Sequence, residues 1–161
     1  MRAIHQASAL SAVLLTCALS GCATAVNSIV ISPTVALRGV DLVGLGFNGQ
    51  TFLLSFEVSN PNSFALPVRS VSYAITLDGQ RFATGNTDGE FSVPASGVGQ
   101  FAISVDLNLL QSAPKLLSIV RHGVSQDVRY ELDGRFELDI PLAPTVSYQN
   151  VGAIRLRPAP L

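Results

Sequence analysis

The chain has 161 residues, 48% of them hydrophobic and 13% charged, with a net charge of −1 at neutral pH. So much apolar material and so little charge exclude a disordered chain and predict one folded, core-rich domain. Lys115 is the only lysine and no basic cluster stands out, so nucleic-acid binding has nothing to rest on.

The chain opens on a short segment carrying Arg2 and His5, followed by an apolar run from Ala7 to Leu19. A charged start, an apolar core of that length and small residues before a cysteine read as a bacterial lipoprotein signal. Leu19-Ser20-Gly21-Cys22 is similar to a lipobox, in which the thiol of Cys22 takes the diacylglycerol. Ordinary secretion with cleavage at Ala23-Thr24-Ala25 is the competing reading. A membrane-spanning anchor is disfavoured, because the run falls short of the ~20 residues a spanning helix needs. The expected organisation is a leader over 1–21, a tether over 22–32, a domain over 33–157 and a tail over 158–161. Ala23 follows the cysteine where an aspartate commonly retains lipoproteins in the inner membrane. The expected location is therefore the outer membrane, facing the periplasm, with palmitate among the attached chains. Cys17 falls within the leader, which leaves Cys22 as the one cysteine of the mature chain. No intramolecular disulfide or CxxC site is then available, and stability must come from the core.

From Pro33 onward the dominant period is two. A strand is expected over Thr34–Leu45. In the next, Phe52, Leu54, Phe56 and Val58 alternate with Thr51, Leu53, Ser55, Glu57 and Ser59. Asn60-Pro61-Asn62 stops that strand, since proline cannot donate to a ladder and asparagine favours turns. Val71, Tyr73, Ile75 and Leu77 alternate in the third strand, and Asp78-Gly79 is a hairpin signal. Shorter strands are expected at Arg81–Gly85 and Glu90–Val93, then a loop over Pro94–Gly99 and a strand over Phe101–Leu107. One helix follows: Ser112 can cap it, Pro114 suits its first turn, and Leu116, Leu117 and Val120 form its stripe. Arg121 and His122 suit its negative end, and Gly123 can close it. In Asp127–Ile140 the apolar set Val128, Tyr130, Leu132, Phe136, Leu138 and Ile140 alternates with seven charged residues. Gly134 takes an inward slot there, which predicts a bulge or bend. The charged face reads as a solvated surface that discourages edge pairing. A last strand is expected over Val151–Leu156. About seven short strands, each showing the core one face, predict an all-β antiparallel sandwich with one short α-helix.

The order of these features resembles the LEA type 2 family, also called the LEA14-like or WHy domain. The resemblance rests on Phe52-Leu53-Leu54-Ser55-Phe56-Glu57-Val58-Ser59-Asn60-Pro61-Asn62, the hairpin Tyr73–Gln80, Gly85, the strand Phe101–Leu107, the helix, and Tyr130-Glu131-Leu132-Asp133-Gly134-Arg135-Phe136. It covers about Pro33 to Leu156. It implies a fibronectin type III-like sandwich, a link to desiccation and other stress, and no enzymatic activity or cofactor. Most LEA proteins are hydrophilic and disordered, whereas this composition demands a packed core, so protection must come from a folded surface.

The residues agree with a non-catalytic reading. His122 is the only histidine beyond the expected leader, and no G-x-S-x-G elbow exists. Asp133 and Glu137 make a carboxylate pair on an exposed face, and no D-x-D-x-D-G loop is present. Asn60, Pro61 and Asn62 are the one family motif that reads either as a ligand-contacting loop or as a turn satisfying its own backbone. The expected function is that of a stress-protective accessory lipoprotein that binds or shields envelope proteins. The alternative is a non-catalytic adaptor holding partners in envelope assembly or transport. The expected partners are the membrane, through lipidated Cys22, and envelope proteins, with no nucleic acid and no small-molecule substrate.

Overall fold

The structure is a computed structural model that describes residues 30–46, 49–109, 114–141 and 145–158. The expected leader, Cys22 and Ser112 lie outside the described residues. Seven strands and a helix follow one another: β1 (Thr34–Gly46), β2 (Gly49–Ser59), β3 (Leu66–Leu77), β4 (Gln80–Val93), β5 (Val98–Leu107), α1 (Pro114–Gly123), β6 (Val128–Leu138) and β7 (Val146–Ile154). All strand pairs are antiparallel. They form a three-stranded sheet in the order β1-β2-β5 and a four-stranded sheet in the order β4-β3-β6-β7. The alternation in the sequence thus becomes the expected sandwich. Val40, Leu54 and Val58 of the first sheet and Ile75, Leu132 and Phe136 of the second are at most 1% exposed, and their apolar faces form one core.

Aromatic rings tie the two sheets together. Phe52 of β2 meets Phe82 of β4 edge-on at 5.2 Å between centroids. Phe101 of β5 stacks on Phe56 at 4.7 Å and on Phe91 of β4 at 5.0 Å. Helix α1 buries Leu116 and Val120 at the end of the sandwich where β3 turns into β4.

Three local features differ from the sequence reading. The stretches Arg81–Gly85 and Glu90–Val93 belong to one long strand, β4. Its pairing with β3 slips between Val68 and Ser70 and again between Ile75 and Thr76. Each slip sets extra residues against the partner strand, which breaks the period of two and splits the sequence signal. The last strand begins at Val146, ahead of the expected Val151, and runs to Ile154. Gly134 marks no bulge: its pairings with Tyr73 of β3 and Tyr148 of β7 run without a slip on either side.

What Gly134 provides is room. A Cβ there would sit 2.2 Å from the Tyr148 ring and 2.4 Å from the Ser72 carbonyl oxygen. The Tyr148 ring lies flat across Gly134, and its hydroxyl donates to that Ser72 carbonyl at 3.0 Å. The same arrangement recurs at the other two tyrosines. Gly85 sits opposite and beneath Tyr73, and Gly152 opposite and beneath Tyr130. Across the four-stranded sheet the row reads Gly85, Tyr73, Gly134, Tyr148, so each ring covers backbone that its glycine neighbour leaves bare.

One side of the sandwich is closed by the chain after β7. Leu156 N–H donates to Gly123 O at 2.8 Å. Arg157 then pairs with β1: Leu42 N–H donates to Arg157 O at 2.9 Å, and Arg157 N–H to Val40 O at 3.0 Å. The Arg157 guanidinium holds Asp41, with Nε 2.5 Å from Oδ1. On the opposite side β4 and β5 are the outer strands of their sheets.

Two measurements test the tyrosine–glycine row. Gly134→Ala should cost about 2–3 kcal/mol in urea denaturation, because the added carbon meets ring and backbone. Gly89→Ala, with open space at its Cβ, should stay within about 0.5 kcal/mol of the parent. Burial, and then the neighbouring Tyr73, push the Tyr148 phenol above its ordinary value of 10.0, and burial raises Tyr73 as well. The unfolded chain ionises Tyr148 near pH 10 while the folded chain holds it neutral to higher pH. Its contribution is therefore intact below pH 10 and lost above it, by at most about 1.4 kcal/mol per pH unit. Stability measured from pH 9 to 11.5 should fall less steeply for Tyr148→Phe than for the parent.

Candidate functional site

The Asn60-Pro61-Asn62 motif sits where β2 ends, at the end of the sandwich where the chain enters β1. Both asparagines are buried, 2% and 3% exposed, while Pro61 faces solvent. A buried carboxamide is tolerated only when its donors and acceptors are matched, and here they are. Asn60 Nδ2 donates to Phe64 O at 2.8 Å and to Pro94 O at 2.9 Å. Asn60 Oδ1 accepts from Asn62 N–H and from Asn62 Nδ2, each at 2.9 Å. Asn62 then reaches the segment ahead of β1: its Nδ2 donates to Ile31 O and its Oδ1 accepts from Ile31 N–H, both at 2.8 Å. Backbone bonds complete the cluster, from Asn60 N–H to Gly97 O at 2.9 Å and from Ser96 N–H to Asn62 O at 2.8 Å. Ser96 adopts a left-handed φ of 48° to make that contact.

The motif is therefore a clasp that joins the entering chain, the β2–β3 loop and the β4–β5 turn. Its carboxamide atoms find partners within the protein. The sequence marked the two asparagines and the proline, but not their partners. Ile31, Phe64, Pro94 and Gly97 take part through backbone groups, which every residue type carries. The last residues of the expected tether already belong to the folded unit, since Val30 packs on the core and Ile31 is held by Asn62.

The charge ladder of β6 lies on the outer face of the four-stranded sheet, with Arg129, Glu131, Asp133, Arg135 and Glu137 all exposed. It guards no edge, because β6 lies between β3 and β7. Asp133 and Glu137, the carboxylate pair singled out in the sequence, stand on this solvated face. Ion pairs such as Arg155 to Asp127 at 2.9 Å are exposed on both sides and contribute little stability.

His122 occupies the last turn of α1. Its Nδ1 lies 2.8 Å from the Ser118 carbonyl one turn earlier, and its own carbonyl accepts from Ser125 and Gln126 N–H at 3.0 Å each. It shares an open hollow of about 520 Å³ with Asp78, Gln80, Lys115, Ser118 and Asp127. Among the described residues, no three His, Cys, Asp or Glu side chains gather as a metal site. Nor is any described helix long and apolar enough to cross a membrane.

Comparison with known proteins gives a consistent result. Residues 55–150 match the LEA_2 family, described as late embryogenesis abundant protein. The desiccation-related protein PCC27-45 of Craterostigma plantagineum is 26% identical over 132 residues, spanning 77% of this chain and 82% of that protein. The desiccation protectant protein Lea14 homolog of Glycine max is 25% identical over 128 residues, spanning 77% and 81%. Among solved structures, the solution structure of an Arabidopsis thaliana protein superposes with a TM-score of 0.60 at 22% identity, covering 86% of this chain and 91% of that one. The family match contains Asn60, Asn62 and the row Gly85, Tyr73, Gly134, Tyr148, while Ile31 precedes it.

The clasp predicts a local and a global effect of one substitution. Asn62→Ala removes both bonds to Ile31 and leaves the Asn60 carbonyl oxygen one donor short. It should destabilise the fold by about 2–3 kcal/mol. Amide exchange at Ile31 should become fast, while the β6 amides should speed up only by the factor that the lost global stability sets.

Proposed function

The chain belongs to the LEA_2 family of late embryogenesis abundant proteins, and from that premise we propose that it is a stress-protective accessory lipoprotein of the cell envelope. The observation that carries this reading is the family match over residues 55–150, joined by desiccation-related relatives that align with 77% of the chain. Its protective action is to bind or shield other proteins with a folded surface, and it turns over no substrate. The residues support that reading. His122 is committed to its own helix, and the carboxylates of β6 stand in solvent. General acid–base work would instead require a desolvated pair within reach of a substrate.

The anchoring half of the proposal rests on Leu19-Ser20-Gly21-Cys22. Buried acyl chain contributes ~0.8 kcal/mol per CH₂, so two or more chains on Cys22 hold a protein firmly. Ala23 at the next position favours the periplasmic face of the outer membrane. The nine residues from Cys22 to the clasped Ile31 reach roughly 30 Å when extended. Lipid attachment would therefore keep the clasp end of the domain near the bilayer and α1 at the far end.

Labelled palmitate should enter the wild-type chain and not Cys22→Ser, and the wild type should fractionate with membranes. Equal labelling of the two, or a wild type found only in soluble periplasm, removes the anchor. The purified protein should preserve a labile enzyme through drying or freeze–thaw better than an equal mass of an inert protein, and His122→Ala should protect equally well. Protection no better than the control moves the assignment to the adaptor reading, in which the domain holds a specific partner.

A further inference from the structure

The two ends of the sandwich differ in charge. The clasp end is built from residues 30–34, 59–68 and 92–100, and none of these is Asp, Glu, Lys, Arg or His. The opposite end carries Asp78, Arg81, Lys115, Arg121 and Asp127. Apolar groups stand in water at the uncharged end. Ile31 is 61% exposed and Val98 55%, and Pro61, Ala65, Pro94 and Ala95 are exposed there as well. Val43 and Leu45 are also exposed, but at the end that bears the charges. The charges nearest the clasp lie at its margin and are paired, Arg38 with Glu57 and Arg69 with Asp139, while Glu90 adds to the field at Arg69. Peptide groups are the other obstacle to leaving water, and a surface set against lipid must satisfy them internally. The clasp does this. Asn60 and Asn62 bond the carbonyls of Ile31, Phe64 and Pro94 and the N–H of Ile31, and backbone donors take Gly97 O and Asn62 O. Pro33, Pro61, Pro67 and Pro94 have no N–H to leave unmatched.

We propose that the clasp end is a lipid-contacting surface, which rests on the headgroup boundary of the bilayer through Ile31, Pro61, Pro94 and Val98. This assignment depends on the anchoring at Cys22 proposed above, and the anchor is what names the occupant. Nine residues lead from Cys22 to the clasped Ile31, and from Cys22 to Leu37 the sequence carries no charge. A few exposed aliphatic side chains bind a bilayer weakly by themselves. A short tether, however, holds them at a roughly millimolar effective concentration, so that weak contact is enough to fix an orientation. Settling this end into the interface strips water from no ion, whereas the α1 end would have to desolvate Asp78, Lys115 and Asp127. The α1 end is thereby turned away from the membrane, toward any protein that the domain shields.

The test uses the full chain, its attached lipid checked by mass, in vesicles of phosphatidylethanolamine and phosphatidylglycerol. Ala95→Cys and Leu45→Cys place one dye at either end, since an acylated Cys22 takes none. A nitroxide on the lipid near the headgroup then quenches whatever lies against the bilayer. Dye at position 95 should be quenched at least twofold, and dye at position 45 hardly at all. The double variant Ile31→Glu/Val98→Glu should bring position 95 to the level of position 45 and leave palmitate labelling unchanged, whereas Val43→Glu should leave position 95 quenched. Equal quenching at the two ends, none at position 95, or quenching that survives the two glutamates overturns the proposal while the anchor stands. Loss of quenching with Val43→Glu overturns it too, since the effect would then belong to charge at any place. Energy transfer between position-95 dyes on neighbouring chains, rising with protein density and without lipid quenching, assigns the end to a second copy and also overturns it. A chain whose mass shows no lipid removes the anchor, and the lipid-contacting surface falls with it.

Discussion

The constraint on which this fold depends is that the backbone at the end of a sandwich must find hydrogen-bond partners where its sheets stop. Interior strands satisfy one another, but a loop buried at the sandwich end has no ladder. Asn60 and Asn62 supply the missing partners with side chains, taking carbonyls from the β2–β3 loop and the β4–β5 turn, and both groups of Ile31. The position of β1 follows from this, because its entry is fixed before its first rung at Thr34. So does the short turn into β5, which delivers Val98 opposite Ser59. A deletion here would leave several buried carbonyls without donors, at a cost well beyond that of one lost bond.

The second organising element is steric. Large rings lying flat on a sheet need a neighbour without a side chain, and the chain meets that need at each of its three tyrosines. Glycine within a strand is ordinarily a weakness, since it adds backbone entropy to the unfolded chain and contributes no packing. Opposite a tyrosine the loss is offset, because the ring covers the exposed backbone and its hydroxyl reaches a carbonyl two strands away, as Tyr148 does to Ser72. Phe136 packs against Tyr148 at 4.7 Å and so carries the row into the aromatic contacts between the sheets.

Much of this was legible in the sequence wherever side-chain period and side-chain chemistry coincide. The inner faces of β2, β3, β5 and β6 follow directly from alternation, and the Asp78-Gly79 turn and the helix from their local residue types. The reading failed where backbone geometry decides. The slips in β4 shift the period and divide one strand into two signals. Gly134 reads as a defect until the residue opposite it is known, and that pairing joins positions distant in sequence. The partners of Asn60 and Asn62 are carbonyls, which leave no mark in composition. The openness of β5 is likewise a property of strand order, since the same ten residues would be unremarkable in the middle of a sheet.

Asp41 and Arg157 are separated by 116 residues, yet they meet across the seam between the first and last strands. Until the final residues emerge, β1 has β2 on one side and nothing to hold its other flank. A chain with this topology has a high contact order, and its closing step waits for loop closure across nearly the whole domain. A chain whose Arg157 segment is not yet in place therefore lacks this seam and remains incompletely folded. Docking of the Arg157 segment against β1 is therefore the step that closes the fold.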